Sequence, residues 1–139
     1  MAQVDAFLAE MQPRWRTAYR ALCGGDVGPW AAIWSTREPV TLFGAAGSAS
    51  GDREVRRIQD WVAGRFAGLV DDKHELVAAG ASGDLAYTVA FEHKTVDAAD
   101  GGRATYTLRT THVFRREDGE WKIVHRHGDV PPEREDFPA

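Results

Sequence analysis

The sequence predicts an α+β fold in which about three helices cover the concave face of a curved antiparallel sheet. In the first half of the chain, apolar residues recur at the spacing of amphipathic helices. From about residue 74 onward they alternate with a period of two, and the breaks SGD, DAADGG and EDG have the composition of turns. A run of helices followed by a four-strand meander is typical of a layered α+β domain, because each element must bury one apolar side.

The helices and the first strand can be placed one by one. The first helix carries an apolar stripe from Val4 to Leu22, and Pro13 inside it predicts a kink or a division into two short helices. Glycines end this helix, and a second, short helix begins near Pro29. The segment PVTLFG is predicted to be a strand, AAGSASG a loop, and DREVRRIQDWVAGRF an amphipathic helix.

Four further strands complete the domain, namely HELVAAGA, DLAYTVAFEHKTV, RATYTLRTTHVFRR and EWKIVHRHGDV. A chain of 139 residues suits one domain, which we assign to residues 1–130. The tail PPEREDFPA is rich in proline and charge, so we expect residues 131–139 to be loose.

Composition excludes several classes of function. A net charge of −4 with dispersed basic residues argues against a nucleic-acid surface, which needs a basic patch. No window approaches the roughly 18 apolar residues of a membrane span, and no secretory leader is visible. Cys23 is the only cysteine, so no internal disulfide can form. We therefore expect a cytoplasmic protein that binds neither membrane nor nucleic acid.

The order of elements resembles the SnoaL-like, ketosteroid isomerase-like branch of the nuclear transport factor 2-like superfamily. The resemblance covers about residues 10–130 and is carried by VTLFG, SGDLAYTVAFE and LRTTHVFRREDGEWKIVHRHGD. It implies a cone with an apolar pocket for a small molecule, in a lyase, cyclase or isomerase of unknown substrate. The same fold hosts non-catalytic modules, so the alternative is a dimerisation or assembly module with a vestigial pocket.

A ligand pocket is predicted on the face of the sheet that carries the larger apolar side chains, together with aromatic residues that close the wide end of the cone. Arginine on such a face needs an anion, so the expected ligand is largely apolar, with or without a carboxylate. The predicted pocket residues are Trp34, Phe43, Trp61, Tyr87, Phe91, Tyr106, Thr110, His112 and Arg126.

A polar row is predicted on the opposite face. Turns centred near residues 100 and 118 place Glu92 opposite Arg109, and Arg109 opposite His125 or His127. Two histidines at this spacing could bind zinc with Glu92 or His112 as a third ligand. Because Arg109 would repel a divalent cation, we predict a hydrogen-bonded row without metal or other cofactor. An acid–base role for the histidines stays open.

The same face is predicted to form a homodimer. Small side chains at Ala86, Thr88 and Ala90 suit close packing of a second sheet, and Trp121 and Ile123 would otherwise be exposed. A bulge in one strand would reverse this assignment beyond it, and Trp121 with Ile123 could equally mark the core side.

The acidic residues that the isomerase chemistry would require are absent from the expected segments of the sequence. A steroid isomerase of this family would place one carboxylate in VTLFG and another on the YTLRTTHVF strand, and both segments have none. Cyclases of similar shape use a late acid or histidine in the cavity. The candidate catalytic residues that remain are His112, His127 and Asp129.

Overall fold

A computed structural model describes residues 2–134, which form three helices and six strands. The predicted loose tail therefore lies mostly outside the described residues, since 135–139 are not among them. In chain order the elements are α1 (Gln3–Cys23), α2 (Gly28–Ala32), β1 (Thr41–Gly44), β2 (Gly47–Ser50), α3 (Asp52–Ala63), β3 (Phe66–Ser82), β4 (Leu85–Ala98), β5 (Arg103–Glu117) and β6 (Glu120–Asp129).

The strands form one curved, unclosed sheet in the order β2-β1-β6-β5-β4-β3. Strands β3 to β6 are the predicted antiparallel meander, and β1 joins it by parallel pairing with β6. The α+β class with helices on the concave face is thus confirmed. The predicted loop after β1 is wrong in part, because Gly47–Ser50 pairs with β1 as a short hairpin around Ala45 and Ala46.

Helix α1 is one continuous element that includes Pro13, so the predicted division into two helices does not occur. Proline removes one helical hydrogen bond and crowds the preceding turn. The apolar face nevertheless continues through it, since Met11 and Trp15 are both buried against the sheet. Burial on both sides of the proline holds the helix together.

Aromatic side chains of α1 fill the concave side of the sheet. The Phe7 ring lies 4.9 Å from that of Phe114 and 5.0 Å from that of Trp121. Trp15 stacks on Tyr19 with a centroid separation of 4.6 Å. Because the helix supplies these large groups, little volume is left for large side chains from the part of the sheet beneath it.

The predicted facing of β4 is wrong for this reason. Its inner face carries small or polar residues, and the buried set is Ala86, Thr88, Ala90, Glu92, Lys94 and Val96. Tyr87, expected to line the pocket, points outward with 45% of its surface exposed. Phe91 shares that outer face, since side chains alternate along a strand.

The predicted dimer interface is wrong as well. Trp121 and Ile123 are buried beneath α1 and α2, with 4% and 0% of their surface exposed. A bulge between β5 and β6 explains the error, because Phe114 pairs with Ile123 whereas Val113 pairs with His125. The extra residue, Val124, places Ile123 and Arg126 on the same inner face.

No helix within the described residues combines the length and apolar character needed to cross a bilayer.

Candidate functional site

A cavity of about 180 Å³ lies between α1, α3, the β1–β2 hairpin and the inner face of the sheet. Its mouth is formed by exposed residues of the hairpin turn and the end of α3, namely Ala45, Ala46, Trp61 and Arg65. Its floor and walls are formed by buried residues, which include Tyr19, Cys23, Trp30, Leu42, Lys94 and Leu108. None of the described lining residues is aspartate or glutamate.

Arg126 closes the floor of the cavity and is held by Glu92. Its Nη1 and Nη2 atoms donate to the two carboxylate oxygens of Glu92, at 2.8 and 2.9 Å. The side chain of Glu92 is 0% exposed and that of Arg126 is 11% exposed. This is a bidentate, charge-assisted pair that neutralises the arginine from behind.

His112 completes a buried cluster with this pair. Nη1 of Arg126 lies 3.0 Å from Nε2 of His112. A guanidinium can only donate, so Nε2 accepts and the imidazole proton sits on Nδ1. Burial and the neighbouring Arg126 lower the pKa of His112 to about 3. The imidazole is therefore neutral at ordinary pH with this lone pair engaged, which argues against His112 as a general base.

Electrostatics keep both members of the pair charged. Burial alone would raise the pKa of Glu92, but the charge and hydrogen bonds of Arg126 outweigh it and the pKa is lowered. Burial would likewise lower the pKa of Arg126, but Glu92 outweighs it and the pKa is raised. The floor of the cavity thus contains a salt bridge that persists through the physiological pH range.

Lys94 is a buried residue of the cavity that takes no part in the Arg126–Glu92 pair. Its Nζ lies 4.5 Å from the centroid of the Tyr19 ring and 5.0 Å from that of Tyr106. The residue is 6% exposed and forms no hydrogen bond or ion pair with residues 2–134. Asp72 is its partner in the register with β3, but the two side chains form no ion pair. Burial and the charge of Arg126 lower the pKa of Lys94 to about 7.

Two other polar groups around the cavity have no partner among the described residues, and two more have raised pKa values. Tyr19 Oη and Gln59 Nε2 are buried and have no hydrogen-bond partner among the described residues. Burial raises the pKa of Tyr106 to about 12, so its phenol stays protonated. Burial also raises the pKa of Cys23 to about 12, which makes this thiol a poor nucleophile. Among these groups, Lys94 is the one with a pKa near neutral pH, at about 7.

The predicted polar row is wrong because the pairing of β4 with β5 is shifted by one residue from the pairing that the turn position predicted. Glu92 pairs with Leu108, so Glu92 points inward and Arg109 outward. Arg109 instead donates to the carboxylate of Asp129 through Nε at 2.8 Å and Nη2 at 3.0 Å. The hydrogen bond from Arg109 lowers the pKa of Asp129.

The two histidines of HRH lie on the outer face, and the arginine between them points into the core. Nδ1 of His125 lies 2.7 Å from Oγ1 of Thr41. The rings of His125 and His127 pack in a T-shaped arrangement with the Phe43 ring, with centroid separations of 5.6 and 5.8 Å. The described part of the chain contains no group of three or more histidine, cysteine or acidic residues placed to hold a metal ion.

The structure divides the predicted site residues among three places. Trp61, Tyr106 and Arg126 line the cavity, and His112 lies in the buried cluster that holds Arg126. Trp34 is buried beside Ile123, and Thr110 faces inward and donates to the carbonyl of Ala90. Phe43, Tyr87, Phe91, His127 and Asp129 belong to the outer face, opposite the cavity.

Sequence reasoning missed Lys94 and Gln59. A signal for Lys94 was present, since it alternates in phase with Ala86, Ala90 and Val96. The predicted dimer interface includes those small residues. If they had been assigned to the face of the sheet beneath a helix, Lys94 would have been predicted on the inner face of the sheet. Nothing comparable in the sequence marks Gln59, a polar residue on the apolar side of α3.

Comparisons with known proteins agree with this architecture. Solved structures with similar folds include a nuclear transport factor 2-like superfamily protein from Salmonella enterica, 18% identical, covering 84% of this chain and 86% of its own with a TM-score of 0.69. A ketosteroid isomerase-like protein from Erwinia carotovora is 18% identical, covering 87% and 93% with a TM-score of 0.70. A nuclear transport factor 2-like protein from Pseudomonas putida is 22% identical, covering 91% and 88% with a TM-score of 0.69.

At such identities these structures establish the fold. No curated protein matches the chain significantly. A family model does match it, over residues 14–133, which is most of the chain. The chain therefore belongs to the SnoaL-like domain family, within the nuclear transport factor 2-like superfamily.

Proposed function

We propose that the protein binds a small, largely apolar molecule in the cavity, with a carbonyl or carboxylate oxygen directed at Lys94. The observation that carries this proposal is the buried amine itself. A lysine without an acidic partner is costly to bury, and the surrounding structure offers it only aromatic faces. A ligand oxygen would supply the hydrogen-bond acceptor that the described residues do not.

The volume of the cavity limits the size of the ligand that it can hold. At about 180 Å³ the space is slightly larger than an engineered cavity of roughly 150 Å³ that holds benzene. The walls contributed by Trp30, Leu42 and Leu108 are apolar, and the Lys94 amine lies 4.5 Å from the centroid of the Tyr19 ring. A single ring or a short branched chain with one oxygenated end fits this arrangement.

The same geometry narrows the chemistry of a lyase, cyclase or isomerase in this cavity. A carboxylate base is absent from the described lining residues, and Glu92 is engaged by both of its oxygens with Arg126. His112 is neutral and accepts from the same arginine. Proton transfer in the cavity would therefore involve the Lys94 amine, with Tyr19 or Tyr106 as proton donors.

Binding can be tested with benzoate, benzyl alcohol and toluene as probes of one size. Ligands that bind the folded state raise its melting temperature. We expect benzoate and benzyl alcohol to raise it more than toluene. The benzoate effect should weaken as pH rises past about 7, where Lys94 loses its charge. Equal shifts for all three probes would contradict a polar contact at Lys94.

A matched pair of variants locates the binding. Val62→Trp places a large ring in the cavity, whereas Thr17→Trp adds the same ring on the exposed side of α1, away from the cavity. We expect the benzoate shift to persist in Thr17→Trp and disappear in Val62→Trp, provided that both unfold cooperatively. A shift retained in Val62→Trp would place the ligand elsewhere.

We further propose that the protein forms a homodimer through the outer face of the sheet, as an assembly module would. What supports this is the exposure of Tyr87, Val77 and Phe43, at 45%, 58% and 47%. Tyr87 lies flat across Gly80, where an added Cβ would come within 2.5 Å of the ring. Light scattering should give a dimer for the parent and a monomer for Tyr87→Lys. A parent monomer at micromolar concentration would refute the proposal.

A further inference from the structure

We propose that Lys94 forms an imine with a small aldehyde or ketone bound in the cavity, so that this ligand class is held by a reversible covalent bond. The inference rests on the proposed binding function and specifies the chemical class of the ligand. It requires an amine that touches the ligand, carries no competing partner, is shielded from bulk water and has proton donors beside it.

Lys94 meets the geometric requirements. It lines the cavity, is 6% exposed and forms no hydrogen bond or ion pair with residues 2–134. The Tyr19 and Tyr106 rings flank the amine at 4.5 and 5.0 Å, and the Tyr19 hydroxyl has no partner among the described residues. Both phenols can therefore donate to a carbonyl oxygen or to a departing water.

The remaining lysines of the sequence, Lys73 and Lys122, provide internal comparisons. Lys73 lies exposed on β3 and pairs in register with His93. Lys122 donates from Nζ to the carbonyl of Ala32 at 2.7 Å and lies 3.7 Å from a carboxylate oxygen of Glu120. Neither lines the cavity. Reactivity confined to Lys94 would thus report on the cavity and not on lysine in general.

The protonation state agrees with this geometry. Burial and the charge of Arg126 lower the pKa of Lys94 from 10.5 to about 7. At neutral pH the fraction of nucleophilic amine is therefore on the order of a thousand times that of an ordinary lysine. Desolvation next to another cationic group is a recognised way to activate a Schiff-base lysine.

The reaction is a condensation that releases water. The lone pair of neutral Nζ forms a C–N bond to the carbonyl carbon while the C=O π pair moves to oxygen. One nitrogen proton is transferred to that oxygen, giving a carbinolamine. The C–O bond then breaks, and the oxygen leaves as water with the second nitrogen proton, so that a C=N bond remains. No oxidant or reductant takes part, and the reverse hydrolysis restores the lysine.

Benzaldehyde is a suitable probe because its ring matches the size of the cavity. The full chain is incubated at pH 7 with benzaldehyde and sodium cyanoborohydride, which reduces an imine to a stable secondary amine. Intact mass and peptide mapping then locate the benzyl group. We expect Lys94 to be labelled at least about tenfold faster than Lys73 or Lys122, because only its amine lies in the cavity, between the Tyr19 and Tyr106 rings. Equal labelling of the three lysines would overturn the proposal.

Variants separate the imine from simple binding. Lys94→Arg retains a cation without an amine that can condense, so labelling should fall to the level of the other lysines. Lys94→Met serves as a second replacement in case the arginine does not fit. Benzyl alcohol, which has no carbonyl, measures non-covalent binding by its effect on melting temperature.

The outcomes are distinguishable. If benzyl alcohol stabilises the protein but benzaldehyde is not trapped on Lys94, the imine is refuted and the binding function stands. If neither benzyl alcohol nor benzoate stabilises the protein and no lysine is selectively labelled, both proposals fail. Selective labelling that Val62→Trp abolishes and Thr17→Trp leaves intact would support both.

Discussion

Two of the arginine–carboxylate pairs of this protein, Arg126–Glu92 and Arg109–Asp129, lie on opposite faces of one sheet and have almost the same hydrogen-bond distances. Arg126 donates to Glu92 at 2.8 and 2.9 Å, and Arg109 donates to Asp129 at 2.8 and 3.0 Å. Their environments differ sharply. The inner side chains are 11% and 0% exposed, and the outer ones are 44% and 45% exposed. Equal hydrogen bonds therefore need not contribute equal stability, because water competes for only one of the pairs.

The inner pair also determines the electrostatics of the cavity. The carboxylate of Glu92 neutralises the charge of Arg126, so a ligand does not have to supply a negative charge for this arginine. Burial lowers the pKa values of His112 and Lys94, and the charge of Arg126 lowers both further. The imidazole of His112 is therefore neutral at pH 7, and the amine of Lys94 has a pKa of about 7. The outer pair faces solvent and has no such neighbours among the cavity residues.

The largest expected effect is the loss of one inner partner. Glu92→Gln leaves Arg126 buried without a counter-charge, which should lower the free energy of unfolding by about 3–5 kcal/mol. Urea denaturation at pH 7 measures the loss. Asp129→Asn is the matched control on the outer face, and a similar loss in both variants would contradict the distinction between the faces.

The next effect concerns Lys94 and depends on pH. The folded pKa is about 7 and the unfolded value is about 10.5, so between them the unfolded chain binds more protons. Wild-type stability from this group therefore falls as pH decreases from about 10.5 to 7. Lys94→Met removes the penalty and should be more stable than wild type at pH 7, by on the order of a few kcal/mol.

The stability gap between wild type and Lys94→Met should narrow at pH 9 and beyond. Comparing the two proteins at each pH cancels the contribution of other groups, including Cys23 and Tyr106, whose pKa values are also shifted. Denaturant titration at several pH values measures the gap. Lys73→Met, at an exposed position of β3, should show no such stability gap. A gap between wild type and Lys94→Met that does not change with pH would contradict a low pKa for Lys94.

A smaller loss is expected when both inner charges are removed together. Glu92→Met with Arg126→Leu leaves no buried charge, so its cost should be well below that of Glu92→Gln. About 1–2 kcal/mol should remain, because His112 loses its hydrogen-bond donor. Denaturant titration of the two single variants and the double variant gives the coupling. Additive losses would show that the pair is not a unit.

The smallest effect is expected on the outer face. Arg109→Met breaks a half-exposed pair, so it should cost less than about 1 kcal/mol. The loss should shrink further at high salt, where exposed charges are screened. Denaturation at low and high salt measures both quantities. A loss that matches Glu92→Gln would mean that this part of the outer face is covered in solution.

Much of the fold could be predicted because its signals are local. The change from helical to alternating periodicity located α1, α3 and the meander, and turn sequences located the hairpins. The resemblance to the SnoaL-like family then supplied the layer order. These features depend on residues close together in the chain, which is why a single sequence reveals them.

The candidate site was less accessible to such reasoning. Arg126, Tyr106 and Trp61 were expected at the pocket and do line it, but Lys94 was overlooked. A register shift of one residue reverses every side chain of a strand. The count between β4 and β5 was wrong by that amount, and so Glu92 was assigned to Arg109 instead of Arg126.

The sequence by itself determined the order of all elements except β2, and the family, because periodicity and turn chemistry act over a few residues. Tertiary structure decided which face of each strand is inside. That choice depends on the aromatic volume that α1 brings to the sheet and on the bulge at Val124. Helix α1 and β4 are far apart in the chain, and the bulge depends on pairing between strands. The alternating pattern of β4 alone therefore shows Lys94 as a polar residue and does not show that it is buried.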